Sequence, residues 1–429
     1  MMLRSTSVKS VKSVVKRKCM YNFDELVERR GTNCVKWDEA PSDDVIPLWV
    51  ADMDFKAAPA ILEAVKKRAE HGVFGYNIVP ESYYEAVISW FRRRHQWEIQ
   101  REWILYTTAV VPAMSCVIKA FTMPGEKVLI LSPAYNCFFS SIRNNGCEVL
   151  ESPLVPVDSG QWTVESYDYQ TSAESKAGSN HICPLSTIHF HLDWSDFEAK
   201  CADEKCTVFL LCNPHNPSGR VWTREELQRM YDICHQHGVK VISDEIHCEL
   251  IMPGHQFVPF GTITDDCVVM NSPSKNFNTA GLQIANIICS QPEWRRRIDR
   301  AININEVCDV NPFGIVALQA AYNESEDWIE ELCQYLWGNY EALCAFAAEH
   351  LSQWKVCRLE GTYLPWVDIS ALGITAQAYA DRLLSEAKVW VNPGTMYGPQ
   401  TGEGYIRLNI ACPRSRLMEA LERIASIKN

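Results

Sequence analysis

The chain has 429 residues, more than one hydrophobic core usually organises, so a large domain plus a smaller one is expected. With 47% hydrophobic and 22% charged residues it has the balance of a globular protein that buries a sizeable core, which excludes disorder over most of its length. The net charge of −12 repels nucleic-acid phosphates, and no stretch approaches the roughly 20 apolar residues that span a bilayer, so neither nucleic acid nor membrane is an expected partner.

The first 19 residues carry Arg4, Lys9, Lys12, Lys16, Arg17 and Lys18 and no acid, the composition of a transit peptide. The segment from Met20 to Leu26 nevertheless reads as a natural start, so residues 1–19 are expected to be a disordered basic extension. From about Pro124 onward, short β-rich apolar runs alternate with helical patterns, the signature of βαβ units and a parallel sheet. One unit is almost completely legible. Thr207 to Cys212 is a buried strand, Asn213 to Gly219 a turn rich in Pro and Gly, and Thr223-Arg224-Glu225-Glu226 a capping box that starts a helix. Gly238 stops that helix, and Lys240 to Ser243 forms the next strand, delivering Asp244 to its C-terminal end. A further strand, Cys267 to Met270, ends just before the run Ser272-Pro273-Ser274-Lys275. Asp244 and Lys275 therefore leave two strands at one edge of the sheet, where ligands bind in open α/β folds.

The polar stretch from Asp158 to Ser186 is expected to be a long surface loop or small flap. After about Ile298 helices dominate, notably from Asp327 to His350, followed by strands around Tyr363 to Asp368 and Tyr405 to Asn409. That is a second, α+β domain. The 18 cysteines are scattered through apolar segments without the C-x2-C spacing of a zinc site, and are expected to be reduced core residues of a cytoplasmic protein. His189 and His191, and His235 and His237 beside Cys234, belong to no ligand-spacing pattern, so no metal is expected.

Each remaining motif is modest alone. Asn213-Pro214-His215-Asn216-Pro217-Ser218-Gly219 fits a tight turn, Asp244 a strand-end acid, and Lys275 a surface lysine. In their order, with an Arg407-Leu408-Asn409 strand near the C-terminus, they resemble the fold-type I pyridoxal-phosphate enzymes of the class I/II aminotransferase superfamily. Trp49 to Phe55, Val110-Val111-Pro112, Pro133-Ala134-Tyr135, Asp244 to His247 and Arg407 to Arg414 are similar, more narrowly, to the MalY/PatB group of cystathionine β-lyases, which includes cystalysin. The resemblance runs from about Met20 to the end.

It implies an α/β fold: a large domain (51–298) with a mostly parallel seven-stranded sheet, a smaller C-terminal domain (299–429), and an N-terminal arm (20–50) packed on the latter. It implies pyridoxal 5'-phosphate as cofactor, an amino-acid substrate and a homodimer with shared active sites. Lys275 would carry the cofactor as a Schiff base and then remove the substrate's Cα proton. A lysine amine is nucleophilic only when neutral, a state that burial near positive charge favours. Asp244 would hold the protonated pyridine nitrogen, Asn216 donate to the phenolate oxygen, Tyr135 stack on the ring and His247 give support nearby. The phosphate would take the amides at Val110 and Val111, the Ser272 hydroxyl, and Tyr76 from the neighbouring subunit. Arg407 would grip the substrate carboxylate, and Ala51 and Asp52 would line the entrance through their backbone.

Two departures from the pattern, Ala109 where relatives commonly have glycine and Gln283 where many aminotransferases have a cationic ligand, imply weaker or differently shared phosphate binding. No residue chemistry separates β-elimination from transamination. The resemblance favours carbon–sulfur cleavage to pyruvate, ammonia and a thiol; the alternatives are an aminotransferase, or a cofactor enzyme that also binds a regulatory protein partner through an exposed apolar patch.

Overall fold

The structure, a computed structural model, describes residues 20–158 and 188–427. The basic extension and nearly all of the polar 158–186 stretch lie outside the described residues.

The large sheet has eight strands: β1 Ile104–Thr107, β2 Lys127–Ser132, β3 Glu148–Asp158, β4 Ile188–Leu192, β5 Cys206–Cys212, β6 Lys240–Asp244, β7 Cys267–Asn271 and β8 Ala285–Ile288. Their spatial order is β1-β8-β7-β6-β5-β2-β3-β4. The contiguous run from β7 to β3 is parallel, while β8 lies antiparallel between β1 and β7. Parallel strands covered on both faces need apolar residues at successive positions, and Val208 to Leu211, Val241, Ile242 and Val268 to Met270 are all buried.

The expected count of seven strands omits β4. Strand β3 outruns its neighbour: Glu148 to Pro153 pair with β2, and Leu154 to Asp158 continue past it to pair antiparallel with β4. The sequence signal was Ile188-His-Phe-His-Leu192, a period-two alternation in which the apolar residues are buried. His189 and His191 are thus the intervening residues of a strand, their rings 4.1 Å apart.

The smaller sheet is antiparallel and short, ordered β9-β10-β12-β11, with β9 Lys355–Val356, β10 Trp366–Asp368, β11 Asn392–Pro393 and β12 Tyr405–Arg407. Ile46–Pro47 pairs in parallel with Val389–Trp390. Phe23 packs against Phe55, Trp328 and Tyr335 at ring separations of 5.2, 5.7 and 5.5 Å. A division after residue 298 would cut the helix Pro292–Ile304, whose buried Ile298, Ala301 and Ile302 pack in one cluster with the helix Val110–Phe121.

The helix Arg224–Gln236 begins as its sequence requires. Thr223 accepts from the Glu226 amide, and the Glu226 carboxylate accepts from the Thr223 amide. It packs against β6, whose end carries Asp244. Thr223→Ala should therefore lower unfolding stability by about 1 kcal/mol in a urea titration while leaving the site's ligand binding unchanged.

Candidate active site

Asp244 ends β6 and Asn271 ends β7, so both chains leave the sheet at the same edge. After β7, Ser272 caps a one-turn helix, Pro273–Asn276: its Oγ accepts from the Ser274 amide at 3.1 Å and donates to the Ile284 carbonyl at 2.7 Å. This fixed turn aims Lys275 back toward the sheet edge, where Nζ donates to the Ala51 carbonyl at 2.6 Å.

One pocket is lined by Lys275, Asp244, Asn216, His247, Tyr135 and Ser272, and Ala51, Val110 and Val111 also border it. Arg407, at the end of β12, joins these residues through Nη1, which donates to Asn216 Oδ1 at 3.2 Å, and its Nη2 donates to the Trp49 carbonyl at 2.9 Å. Its guanidinium lies over the Tyr397 ring, 4.5 Å from the centroid. Arg407 Nε and His247 Nδ1 are buried without a protein partner.

Two expected residues stand apart. Asp52 turns its carboxylate away into an ion cluster, 2.6 Å from Arg29 and 3.6 Å from Lys36, which also hold Asp54. Its carbonyl accepts from Asn409 Nδ2 at 2.6 Å, so only its backbone serves the segment beside the pocket. Tyr76 is fully exposed, at 101% relative accessibility, and does not contribute to this chain's own pocket.

Burial sets the electrostatics, since low dielectric favours neutral forms. It pushes the Asp244 carboxyl up to about 7 against the opposing effects of the Ile246 amide and Lys275. It lowers Lys275, with Arg407 lowering it further while Asp52 and Asp244 oppose. His247 is driven down to about 3 by burial and then by the cations Lys275 and Arg407.

The helix Val110–Phe121 starts at the pocket with no side chain capping its first amides, the arrangement that suits an anion. Ala109 before it has φ −165°, extended backbone that alanine adopts without strain. Gln283 also lines the pocket, with φ +50°.

Sequence reasoning missed the residues that hold the wall. Tyr363 donates to the Ala51 carbonyl at 3.0 Å, Asn392 to the Trp49 carbonyl at 2.9 Å, and Asn409 to the carbonyls of Val50 and Asp52. The partners of the Tyr363 bond are 312 positions apart, and no local pattern links them. Among the described residues, the side chains close enough to share an ion are His95, Cys248 and Glu249 rather than the paired histidines. Glu249 already accepts from Trp90, Arg94 and His95.

Residues 43–424 match the class I and II aminotransferase family. The chain belongs to that family. Within it, cystathionine β-lyase PatB of Bacillus subtilis is 38% identical, over 94% of this chain and 98% of the relative. Protein MalY of Escherichia coli is 32% identical, over 93% and 96%. The crystal structure of cystalysin from Treponema denticola, which contains pyridoxal 5'-phosphate, superposes with a TM-score of 0.85 at 31% identity, covering 95% of this aminotransferase-family chain and 98% of that one.

A carboxyl raised from 3.8 to about 7 binds its proton more tightly in the folded chain than in the unfolded one. Its contribution to stability is full below about pH 4 and is lost as pH rises through about 7. In cofactor-free protein, Asp244→Asn should gain stability over wild type progressively between pH 4 and 7, by several kcal/mol in all, because each tenfold change in proton affinity is worth about 1.4 kcal/mol. Thermal melts of the two chains across that range check it; a constant difference would contradict the assignment.

Proposed function

We propose that this chain is a pyridoxal-phosphate-dependent carbon–sulfur β-lyase that cleaves cystathionine- or cysteine-type amino acids to pyruvate, ammonia and a thiol. The observation that carries the reading is that Lys275 and Asp244 line one pocket whose Asn216 is bonded to Arg407, from a distant part of the chain.

The residues present fit the cofactor. Asp244 is a buried carboxyl whose raised pKa marks the lack of a cationic partner, which a protonated pyridine nitrogen would supply. The uncapped amides at Val110 and Val111 and the Ser272 hydroxyl would take the phosphate, and Tyr135 would stack on the ring. Asn216 would reach the phenolate oxygen, and His247, neutral at any working pH, would support it as a hydrogen-bonding group rather than as an acid. Lys275 would be the point of covalent attachment. Bound there, the cofactor supplies an electron sink conjugated to the substrate's amine.

The chain's own residues do the rest. Arg407, with an unpaired Nε and a planar fork, binds the substrate carboxylate and orients the Cα–H bond. Lys275, its pKa lowered by burial, is free to take the Cα proton as a neutral amine. The sulfur then leaves from Cβ with the electron pair of the C–S bond.

A second copy of the chain completes the reading. Val73, Phe74, Tyr76 and Ile78 form an exposed apolar run, 58–101% accessible, which a homodimer would cover while carrying Tyr76 to the partner's phosphate site. The free thiols of the described cysteines suit a reducing, cytoplasmic setting, and no helix among the described residues is long and apolar enough to cross a membrane.

Incubation with L-cystathionine or L-cysteine should release pyruvate, whereas amino-group exchange with keto acids and no pyruvate would overturn the lyase reading. Lys275→Ala should abolish the cofactor's yellow absorbance and cut turnover by about 100- to 10 000-fold. Arg407→Lys should raise KM roughly 10- to 100-fold by losing the paired grip on the carboxylate. If the sites are shared, mixing Tyr76→Ala and Lys275→Ala chains should restore about a quarter of wild-type activity through hybrid dimers with one complete site. Additive residual activity alone would exclude shared sites.

A further inference from the structure

The Ala51 carbonyl accepts from two side chains: Lys275 Nζ at 2.6 Å and the Tyr363 hydroxyl at 3.0 Å. An sp² oxygen has two lone pairs, so both are taken. Tyr363 is fully buried, edge-on to His247 at a ring separation of 6.1 Å, and its own carbonyl is pinned by the Ile410 amide at 3.0 Å. The phenol cannot swing away. Burial, reinforced by Asp52, raises it above its ordinary range, so it is a permanent donor and not a proton source. Neighbouring carbonyls are held in the same manner, Trp49 by Arg407 and Asn392, and Val50 and Asp52 by Asn409. The oxygen facing Lys275 therefore has one position.

A neutral amine that accepts a proton must turn its lone pair toward the donor carbon and its N–H bonds elsewhere. An acceptor at a fixed point achieves that orientation. We propose that the Ala51 carbonyl is the seat of the Lys275 amine while it acts as base, and that Tyr363 is a positioning residue that fixes this seat and shares its oxygen. In the step concerned, the proton leaves the substrate Cα for the Nζ lone pair, the electron pair stays behind at Cα, and the ammonium formed keeps its hydrogen bond to Ala51. Because Tyr363 occupies the second lone pair, that oxygen attracts the ammonium less strongly than an unshared carbonyl would, and the proton stays transferable. The inference rests on the proposed function but concerns an arrangement that the chain holds by itself.

Tyr363→Phe keeps the ring and removes only the hydroxyl. In cofactor-free full-length protein, acetylation of Lys275 by acetic anhydride, followed across pH by mass spectrometry, should show its midpoint moved upward by about half a pH unit, or roughly threefold slower labelling below the midpoint. Exposed Lys66 serves as the internal control and should be unchanged. In the holoenzyme, exchange of the L-alanine Cα hydrogen in D2O should fall about tenfold, while KM for L-cystathionine changes less than about threefold. A wild-type labelling profile at Lys275 would overturn the proposal, as would a shift shared by Lys66, which reports general loosening. Absence of pyruvate from the wild-type enzyme would instead count against the lyase reading and leave the labelling result standing.

Discussion

An irregular segment that walls a pocket cannot leave its carbonyls unpaired, and every carbonyl from Trp49 to Met53 accepts from a side chain. Most of the donors are more than 200 positions away along the chain. Arg29 and Asn278 hold Met53, Asn409 holds Val50 and Asp52, Lys275 and Tyr363 hold Ala51, and Arg407 and Asn392 hold Trp49. Regular structure would have satisfied these oxygens locally, but a helix or strand there would also have closed the approach to the sheet edge. Side-chain donors satisfy the backbone and fasten the large sheet to the small one across the same segment. The cluster of half-buried Arg29 and Asp52 with buried Lys36 and Asp54 then anchors the segment's end, each carboxylate meeting both cations. Removing one partner would leave an uncompensated buried charge, so the cluster tolerates loss poorly even though its net contribution is small.

Much of the fold was legible because its signals are local. The capping box at Thr223, the apolar runs of β5 to β7 and the breaks at Gly238 and Pro273 are all set within a few residues, and they suffice to bring Asp244 and Lys275 to one edge. Two kinds of feature were not. Strand β4 pairs only with the overhanging half of β3, and its alternating histidines drew attention to metal chemistry rather than to period two. Tyr363, Asn392 and Asn409 act through side-chain bonds to distant backbone, for which a sequence has no pattern. Asp52 is expected to contribute through its backbone, and its carboxylate is indeed held away from the pocket by Arg29 and Lys36 while its carbonyl meets Asn409.

One cause, burial, moves the site's titratable groups in one direction, toward neutrality: Asp244 up, Lys275 and His247 down. A pocket so biased opposes isolated charge and favours matched pairs. Under the proposed function each charge brought in meets its complement, the ring nitrogen at Asp244, the phosphate at uncapped helix amides and the carboxylate at Arg407. Selectivity for such a ligand follows without any single strong contact, because a molecule lacking one of the three charges leaves a polar group buried and unpaired.

Arg407 shows how this bias couples binding to the joint between the two sheets. Its two terminal nitrogens are committed to Asn216, from the turn after β5, and to the Trp49 carbonyl, while Nε has no protein partner. Under the proposed function an arriving carboxylate would take Nε and the second N–H of a terminal nitrogen, because a guanidinium carries five N–H donors and the wall uses two of them. Stacking on Tyr397 keeps the guanidinium plane in place, and Asn392 holds Trp49 through a bond of its own. The joint would therefore persist with a substrate bound at Arg407. Spare donors on its guanidinium, with that redundancy at Trp49, would let one arginine serve as structural donor and substrate grip together.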